Sequence, residues 1–241
     1  MKIKKISLYL LLLLSVILIY FLTLNNKKYY IALGDSLTEG MTPSGKIDKS
    51  YSDSFSNYLK NNNKLKFYTK KFSKSGYRTI DLLNDIEDNV EKDGLKINNA
   101  IAKANLITIT IGANDFLHKL KDNSSISKNE LIIEFNEVYK DMDILFNKIR
   151  KLTTANIILI GYYNPLPKAE LLSTKEMDEF FAYVDMKSKQ LCDNYNIKYI
   201  DLYNDFKHNP EFLPNVFDIH PSMEGYEFIS SKLINYYEKS N

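Results

Sequence analysis

Cysteine and histidine are scarce in this chain, and their scarcity excludes several kinds of protein. The single cysteine, Cys192, cannot form an intramolecular disulfide, and no cysteine follows the apolar N-terminal run, as a membrane lipoprotein would require. Cys192 lies in a polar helical stretch, and we interpret it as a small packing residue. Only three histidines are present, and His118 and His208 pair with no other histidine or cysteine at the spacing of metal ligands. We therefore predict no metal site and interpret these two histidines as surface or loop residues.

Neither sign of charge is concentrated in one part of the chain. The net charge is only +2, lysines are interspersed with acidic residues, and neither a basic stripe nor an acidic tail is present. The sequence therefore gives no indication of nucleic-acid binding. A composition of 44% hydrophobic and 26% charged residues is typical of a globular protein. With 241 residues and no internal repeat, low-complexity linker or second-domain boundary, the chain suits one α/β domain plus an appendage.

The appendage is the N-terminal segment, 1–28. Three lysines in its first five residues precede an uncharged run, 6–24. As a helix, such a run of roughly 19 residues is about 28 Å long, close to the ~30 Å thickness of a bilayer core. No Ala-x-Ala-like cleavage site follows, so we predict an uncleaved signal-anchor, with cleavage and secretion as the alternative. The N-terminal lysines favour a cytoplasmic N-terminus, which would place the domain 29–241 at the cell membrane, outside the cytoplasm.

Short apolar runs alternate with helical patterns through the rest of the chain. One helix is indicated by apolar residues spaced by three and four between Leu131 and Ile149, after a capping-box pair, Ser127 and Glu130. The last helix begins near Ser222 with the same spacing. Strands that alternate with helices predict a parallel sheet with right-handed crossovers. The five predicted strands are 29–33, 65–71, 106–111, 156–161 and 198–202.

Polar segments stand where these strands end. Ser36 follows the first strand in the tripeptide Gly34-Asp35-Ser36, Gly76 follows the second strand, Asn114 follows the third, and His220 precedes the last helix. The tripeptide alone is a weak signal, because its residues are all common in turns after ordinary strands. Ligands, however, bind outside the carboxyl ends of parallel strands, so we expect the four segments to converge at one edge of the sheet.

The converging residue types suit nucleophilic catalysis. A serine hydroxyl is a weak nucleophile until a base takes its proton, and His220 can act as that base for Ser36. Asp218, two positions earlier, can hold the other ring nitrogen and stabilise the imidazolium. The backbone N–H groups of Ser36 and Gly76 and the side-chain amide of Asn114 are suitable donors to an oxyanion. The structural alternatives are that Ser36 only caps a helix, that Asn114 and Asp218 only form turns, and that Gly76 only serves backbone geometry.

These residues resemble the four motif blocks of the SGNH (GDSL-type) hydrolase superfamily, and segments 161–165 and 201–203 further resemble a Gram-positive branch of lipase/acylhydrolase-like members. The resemblance implies a three-layer α/β/α sandwich of the flavodoxin-like kind with a five-stranded parallel sheet. It also implies that there is no metal or organic cofactor, that Ser36 is the nucleophile and His220 the base, and that Gly76 and Asn114 are oxyanion donors. The four blocks are Gly34-Asp35-Ser36-Leu37, Ser75-Gly76-Tyr77, Ile111-Gly112-Ala113-Asn114-Asp115 and Asp218-Ile219-His220-Pro221.

The last block departs from the superfamily pattern. The usual spacing is Asp-x-x-His, whereas the apolar Phe217 stands three positions before His220 and Asp218 stands two before it. Asp218 must therefore reach the imidazole from a different point of the loop, and a backbone carbonyl is the fallback partner. Other polar residues at the strand ends, Asp115, Asn164 and Asp201, are interpreted as caps or structural braces.

We therefore predict a membrane-anchored serine esterase that hydrolyses carboxylic esters through an acyl-enzyme at Ser36. The candidate substrates are lysophospholipids or other lipid esters, and O-acetyl groups on cell-wall glycans; the sequence does not separate them, although the loop 38–51 is expected to shape specificity. One alternative is a membrane-tethered, catalytically silent binding module, supported only by the Asp-x-His spacing. Another is a flavodoxin-like nucleotide or phosphate binder, which is disfavoured because a Gly-rich phosphate loop before a helix is missing.

Overall fold

The computed structural model describes residues 27–120, 126–165, 172–215 and 217–240. A five-stranded parallel sheet runs through the described chain in the order β2-β1-β5-β6-β7. The sequence prediction of this sheet is confirmed, with strand boundaries that differ by one or two residues. The strands are β1 (Lys28–Gly34), β2 (Leu65–Thr69), β3 (Glu91–Lys92), β4 (Leu95–Lys96), β5 (Leu106–Thr110), β6 (Asn156–Ile160) and β7 (Ile197–Ile200).

Helices cover both faces of this sheet. They are α1 (Ser36–Glu39), α2 (Tyr51–Asn61), α3 (Thr79–Glu87), α4 (Ile97–Lys103), α5 (Ala113–Leu120), α6 (Lys128–Leu152), α7 (Thr174–Asn194), α8 (Tyr203–His208) and α9 (Met223–Lys239), with a 3₁₀ turn at Pro210–Phe212. The fold is the three-layer α/β/α sandwich that the family resemblance implied.

Successive residues of the central strands point to opposite layers, as the two-residue period of a strand requires. Ile31 and Leu33 of β1 pack in the core formed with α3, α4, α6 and α7, whereas Tyr30 and Ala32 pack in the core formed with α2 and α9. Every residue of β5 is buried, because β5 lies in the middle of the sheet with helices on both of its faces.

Helix α6 has both the capping box and the apolar face that its sequence predicted. The Ser127 hydroxyl accepts a hydrogen bond from the Glu130 N–H, and the Glu130 carboxylate accepts one from the Ser127 N–H at 2.7 Å. The predicted capping box is therefore present. The apolar face that was predicted from the spacing is buried along the whole helix: Leu131, Phe135, Val138, Met142, Leu145 and Ile149.

Several smaller predictions are confirmed by burial. Cys192 is buried in the core next to the sheet, and burial raises the pKa of its thiol to about 12. His118 and His208 are both exposed. In contrast, sequence reasoning missed the two-stranded antiparallel hairpin of β3 and β4, although its turn contains Asp93 and Gly94, both with a positive φ.

The predicted signal-anchor lies outside the described residues, except for its last two. Of these, Lys28 is already the first residue of β1 and pairs with Leu65 of β2. Among the residues that the structure describes, none of the helices combines the length and the apolar character needed to cross a membrane.

The capping box of α6 gives a stability prediction. Ser127→Ala removes the hydroxyl that accepts the Glu130 N–H, so we expect the free energy of unfolding to fall by about 1 kcal/mol. Urea unfolding followed by circular dichroism measures this loss. The same substitution at Ser231, in the exposed interior of α9, removes only a bond to the Phe228 carbonyl and should have little effect. Equal losses in the two variants would contradict a specific contribution of the cap.

Candidate active site

The position of Ser36 is determined by the way in which β1 ends. Gly34 has a φ of +128°, and a Cβ at this position would lie 1.8 Å from the Thr110 carbonyl oxygen, so only glycine allows the ends of β1 and β5 to come this close. Asp35 then caps the short helix α1: its Oδ1 accepts hydrogen bonds from the Leu37 N–H at 3.1 Å and from the Thr110 hydroxyl at 2.7 Å. Ser36 is therefore the first residue of α1, at the carboxyl edge of the sheet.

Ser36 and His220, which are 184 positions apart in the chain, meet at this edge. His220 Nε2 lies 2.9 Å from Ser36 Oγ, and His220 Nδ1 lies 2.8 Å from Asp218 Oδ1. The same Asp218 oxygen also accepts the backbone N–H of His220 at 2.8 Å. Aspartate commonly forms this kind of local turn, and here the turn brings the carboxylate to the ring despite the shortened spacing. Asp218, and not a backbone carbonyl, is thus the partner of the imidazole.

Contacts from two other segments hold the loop that carries His220, residues 217–222, which we call the histidine loop. The Tyr163 hydroxyl, which follows β6, donates to the Ile219 carbonyl at 2.8 Å. The Asn215 side chain accepts the Phe217 N–H at 3.0 Å through its oxygen and donates to the Pro43 carbonyl at 3.2 Å through its nitrogen. The histidine loop is therefore tied both to the sheet and to the loop that follows α1, the loop 38–51 that was expected to shape specificity.

The two predicted oxyanion donors are placed differently. Asn114, in the first turn of α5, lines the same cavity as Ser36 and His220, and its amide donates to the Tyr77 carbonyl at 2.9 Å. Gly76 has a φ of +82°, is exposed, and lies next to Tyr77 on the neighbouring loop, without being among the residues that line the cavity. The structure thus brings Asn114 to the cavity, and the bond from Asn114 to Tyr77 connects it to the loop that carries Gly76.

Glu39 is a supporting residue that sequence reasoning missed. It lies on α1, one turn after Ser36, and its Oε2 accepts the Ser75 N–H at 2.6 Å and also the Ser75 hydroxyl. The carboxylate therefore connects the helix of Ser36 to the loop of Gly76. The only sequence signal was an acidic residue in the first turn after the tripeptide, which is equally common in ordinary exposed helices.

Two of the three residues interpreted as caps or braces, Asp115 and Asp201, hold the first residues of helices. Asp115 accepts the Thr79 N–H at 2.9 Å and the Thr79 hydroxyl at 3.1 Å, and so braces the start of α3; burial raises the pKa of Asp115. Asp201 accepts the Tyr203 N–H at 3.0 Å at the start of α8. Both interpretations are confirmed. Asn164 follows β6 and is half-buried.

A chain of buried hydroxyl groups runs beneath Ser36, and sequence reasoning did not predict it. The Thr110 and Thr38 hydroxyls are 2.8 Å apart, Thr38 lies 3.0 Å from the Tyr51 hydroxyl, and Tyr51 lies 3.3 Å from that of Thr108. The chain ends at the Tyr30 hydroxyl, 2.8 Å from Thr108. Thr38 also contacts the Leu33 carbonyl at 3.1 Å, and Thr110 donates to Asp35. Because these buried groups are satisfied by partners inside the protein, the network restricts the positions of α1, α2 and the two central strands.

The other side of the site is a largely apolar cavity of about 70 Å³. Its lining includes Ser36 and His220, residues at the ends of β5 and β6, and residues of α5, α6 and α7. Ser36, Asn114 and His220 thus line one largely apolar cavity, and Asp218 contacts His220 without being among the lining residues. This arrangement suits acyl transfer, in which a nucleophile, a base and oxyanion donors act on one carbonyl group.

The three-layer sandwich carries Ser36, Asn114, Asp218 and His220 at the carboxyl edge of its sheet. Together, this fold and this site define an ester hydrolase of the SGNH superfamily. The model of the GDSL-like lipase/acylhydrolase family matches residues 32–228, and the chain belongs to that family.

Among the proteins and solved structures similar to this chain are two lipases and an acetylxylan esterase. The chain is 29% identical over 210 residues to the spore germination lipase LipC of Bacillus licheniformis, a match that covers 85% of this chain and 93% of the relative. The solved structure of the lipase Lip_vut3 from a goat rumen metagenome is 28% identical, with a TM-score of 0.68 and coverage of 86% of this chain and 95% of that one. The acetylxylan esterase Axe2 of Geobacillus stearothermophilus shares the fold at 20% identity, with a TM-score of 0.60 and coverage of 86% and 92%.

Asp35 gives a prediction for the dependence of stability on pH. Its side chain is almost fully buried, and desolvation raises its pKa to about 7. The pKa in the unfolded chain is about 3.9, so between these values the folded state holds more protons than the unfolded state. The contribution of Asp35 to stability is then fully present below about pH 4 and is lost as the pH rises through about 7.

The variant Asp35→Asn isolates this contribution, because it keeps the Oδ1 acceptor and cannot titrate. We expect the free energy of unfolding of the wild type, relative to that of the variant, to decrease steadily between pH 4 and pH 8 in urea titrations. Parallel pH profiles for the two proteins would contradict the raised pKa.

Proposed function

We propose that this protein is a serine esterase that hydrolyses carboxylic esters through an acyl-enzyme formed at Ser36. The observation that carries the proposal is the pair of contacts at His220: 2.9 Å from Nε2 to the Ser36 hydroxyl and 2.8 Å from Nδ1 to the Asp218 carboxylate. Membership of a family of lipases and acylhydrolases supports the same reaction class.

In this mechanism, Ser36 Oγ attacks the ester carbonyl carbon while His220 Nε2 takes the hydroxyl proton. Asp218 holds the ring by Nδ1 and stabilises the imidazolium that forms. His220 then gives the proton to the leaving alcohol oxygen as the tetrahedral intermediate collapses to the acyl-enzyme. A water molecule, activated by the same imidazole, attacks the acyl carbon, and the acid product leaves as the Ser36 hydroxyl is restored.

The oxyanion of the tetrahedral intermediate needs donors that are not already engaged. Asn114 uses one amide hydrogen for the Tyr77 carbonyl, which leaves the second for the oxyanion. Ser36 is the first residue of a helix, so its N–H has no acceptor within that helix. Within the described residues, neither this N–H nor that of Gly76 donates a hydrogen bond. We therefore assign the oxyanion to Ser36, Asn114 and Gly76.

The second candidate function is the catalytically silent binding module, which would apply if the site did not hydrolyse esters. Its support was the Asp-x-His spacing, and the 2.8 Å contact of Asp218 with the imidazole weighs against it. A cellular location outside the cytoplasm, with residues 1–28 as a membrane anchor, belongs to the same proposal and rests on the sequence of that segment. Digestion of the domain by protease added to intact cells would support that location.

Ser36→Ala is the first test. Because the variant has no nucleophile, we expect hydrolysis of a short-chain chromogenic ester by the full-length protein to fall to background, and labelling by a fluorophosphonate probe to disappear. The control is Ser44→Ala, an exposed serine of the loop 38–51, which should keep both properties. Equal hydrolysis by wild type and Ser36→Ala would overturn the proposed function, and a wild type that neither hydrolyses nor labels would favour the binding module.

A second test separates the charge of Asp218 from its structural bond. Asp218→Asn keeps an oxygen that can accept the His220 N–H, but it no longer stabilises the imidazolium. We expect kcat to fall by about 10⁴-fold, as in other serine triads, while the thermal unfolding midpoint stays within a degree or two of the wild type. Asp218→Ala should lose the local turn as well as the activity. Full activity of Asp218→Asn would show that Asp218 is not the triad acid.

A further inference from the structure

Lysines line the amino edge of the sheet, which is the edge opposite to the one that carries Ser36. Each strand of the five-stranded sheet has a lysine at its start or shortly before it, although the lysines are dispersed along the chain. In the order of the strands across the sheet, these residues are Lys64, Lys28, Lys103, Lys151 and Lys198. We call this row the basic face. With strands about 4.8 Å apart, the row is roughly 19 Å wide.

The charges of the basic face are not neutralised by carboxylates. In the described part of the chain, none of its five lysines takes part in a salt bridge. Lys28 and Lys64 instead lie over the same ring, that of Tyr237, with their Nζ atoms 5.6 and 5.4 Å from its centroid. Burial and the charge of Lys64 lower the pKa of Lys28, as expected where like charges are brought together.

Arg150, in the last turn of α6, adds positive charge to the same edge. Its guanidinium donates to the backbone carbonyls of Ala155, Tyr195 and Asn196 at 2.7, 2.6 and 2.7 Å. Carbonyl groups satisfy these donors but do not neutralise the charge. The acidic residues near the ends of α7 and α9, Asp193 and Glu238, are outnumbered by the basic residues of this edge.

The helix dipole explains only part of this arrangement. Cations are favourable in the last turn of a helix, which accounts for Lys103 and Lys151 at the ends of α4 and α6. Lys28 and Lys198 belong to strands, and Lys64 directly precedes one, so no helix end accounts for them. Because the lysines of the row repel one another, an anionic partner would be attracted to it.

The point at which the chain enters the domain indicates which partner this is. The uncharged run 6–24, which the sequence predicts to be a membrane anchor, lies outside the described residues, and only residues 25–27 separate it from β1. Three residues span at most about 11 Å when fully extended. An anchored chain would therefore keep the amino edge, with its basic face, close to the surface of the bilayer.

We propose that the basic face docks on the anionic lipid headgroups of the membrane in which the run 6–24 is anchored. The proposal rests on the location given under the proposed function, and it adds the orientation of the domain at that location. Lysines near an anionic bilayer are attracted to it, and the sheet holds these five in one row. Because β1 has seven residues and is roughly 23 Å long, docking would hold Ser36 away from the lipid, with its site open to the solvent.

The experiment measures how close each edge of the domain lies to the headgroups when the full-length protein is inserted in lipid vesicles. Cys192 is buried and burial raises the pKa of its thiol to about 12, so a maleimide dye reacts with an introduced cysteine instead. Thr154→Cys, at an exposed position between α6 and β6, reports on the amino edge, and the exposed Ser44→Cys reports on the edge of Ser36. A lipid that carries a nitroxide on its headgroup quenches nearby dyes.

In vesicles that contain phosphatidylglycerol, at about 0.1 M salt, we expect the dye at 154 to be quenched at least about threefold more than the dye at 44. Docking by charge, unlike tethering alone, should also respond to charge and salt. Quenching at 154 should fall at least about twofold in vesicles of phosphatidylcholine alone, and also at about 1 M salt, where the Debye length is about 3 Å. These comparisons use the basic face unchanged, so they remain decisive if a lysine variant fails to fold.

A triple variant tests the lysines themselves. Lys103→Gln, Lys151→Gln and Lys198→Gln together replace the exposed members of the basic face, and should lower quenching at 154 in phosphatidylglycerol vesicles at least about twofold. The control variant removes the same number of charges at exposed positions away from the amino edge, and should leave quenching unchanged: Lys46→Gln, Lys140→Gln and Lys175→Gln.

Three results would contradict docking on lipid. Quenching at 154 that is independent of lipid charge, salt and the basic-face lysines would show tethering alone. Retention on soluble polyphosphate through the same lysines, together with such independence, would identify a soluble polyanion as the partner instead. Failure of the full-length protein to sediment with vesicles of either composition would overturn the anchor and the docking together. Since quenching does not require catalysis, docking without ester hydrolysis would overturn only the esterase.

Discussion

The close approach of β1 and β5 at their carboxyl ends is the constraint on which the site depends. Gly34 admits the Thr110 carbonyl, the Asp35 N–H donates to that carbonyl at 3.0 Å, and the Thr110 hydroxyl donates to the Asp35 carboxylate. Two adjacent strands are thereby joined by backbone and side-chain bonds at the residue before Ser36. A side chain at position 34 would separate the strands, and the turn that presents the hydroxyl to His220 would lose its support.

The surroundings of Ser36 are polar on one side and apolar on the other. Toward α2 and β5 lies the chain of buried hydroxyl groups, in which Thr38 links Thr110 to Tyr51. Toward α6 and α7 lies the apolar cavity with its aromatic walls. Buried polar networks restrict the positions of their members more narrowly than apolar contacts do, because each hydrogen bond has a preferred distance and direction. The serine is therefore held from the polar side and faces the apolar cavity on the other.

The sequence predicted those parts of the molecule that local patterns encode. The five strands, the capping box at Ser127 and the meeting of Ser36 with His220 at the edge of the sheet all follow from periodicity, caps and the topology of parallel sheets. It did not predict that Glu39 would bond to Ser75 or that Thr38 would join a buried network, because such partners are set by tertiary proximity. The cavity was also beyond prediction, since the residues of α5, α6 and α7 that line it follow the same helical spacing as ordinary core residues.

The turn at Asp218 has a consequence for how the site could open and close. One carboxylate oxygen receives both the ring N–H and the backbone N–H of His220, so acid and base form a single local unit within three consecutive residues. In a triad whose acid and base lie on separate segments, movement of either segment would separate them. Here a displacement of the loop carries both members together, so the 2.9 Å contact with Ser36 is the one contact among these three side chains that must be remade when the loop returns. For the proposed mechanism, the triad would then be assembled by the formation of a single side-chain contact.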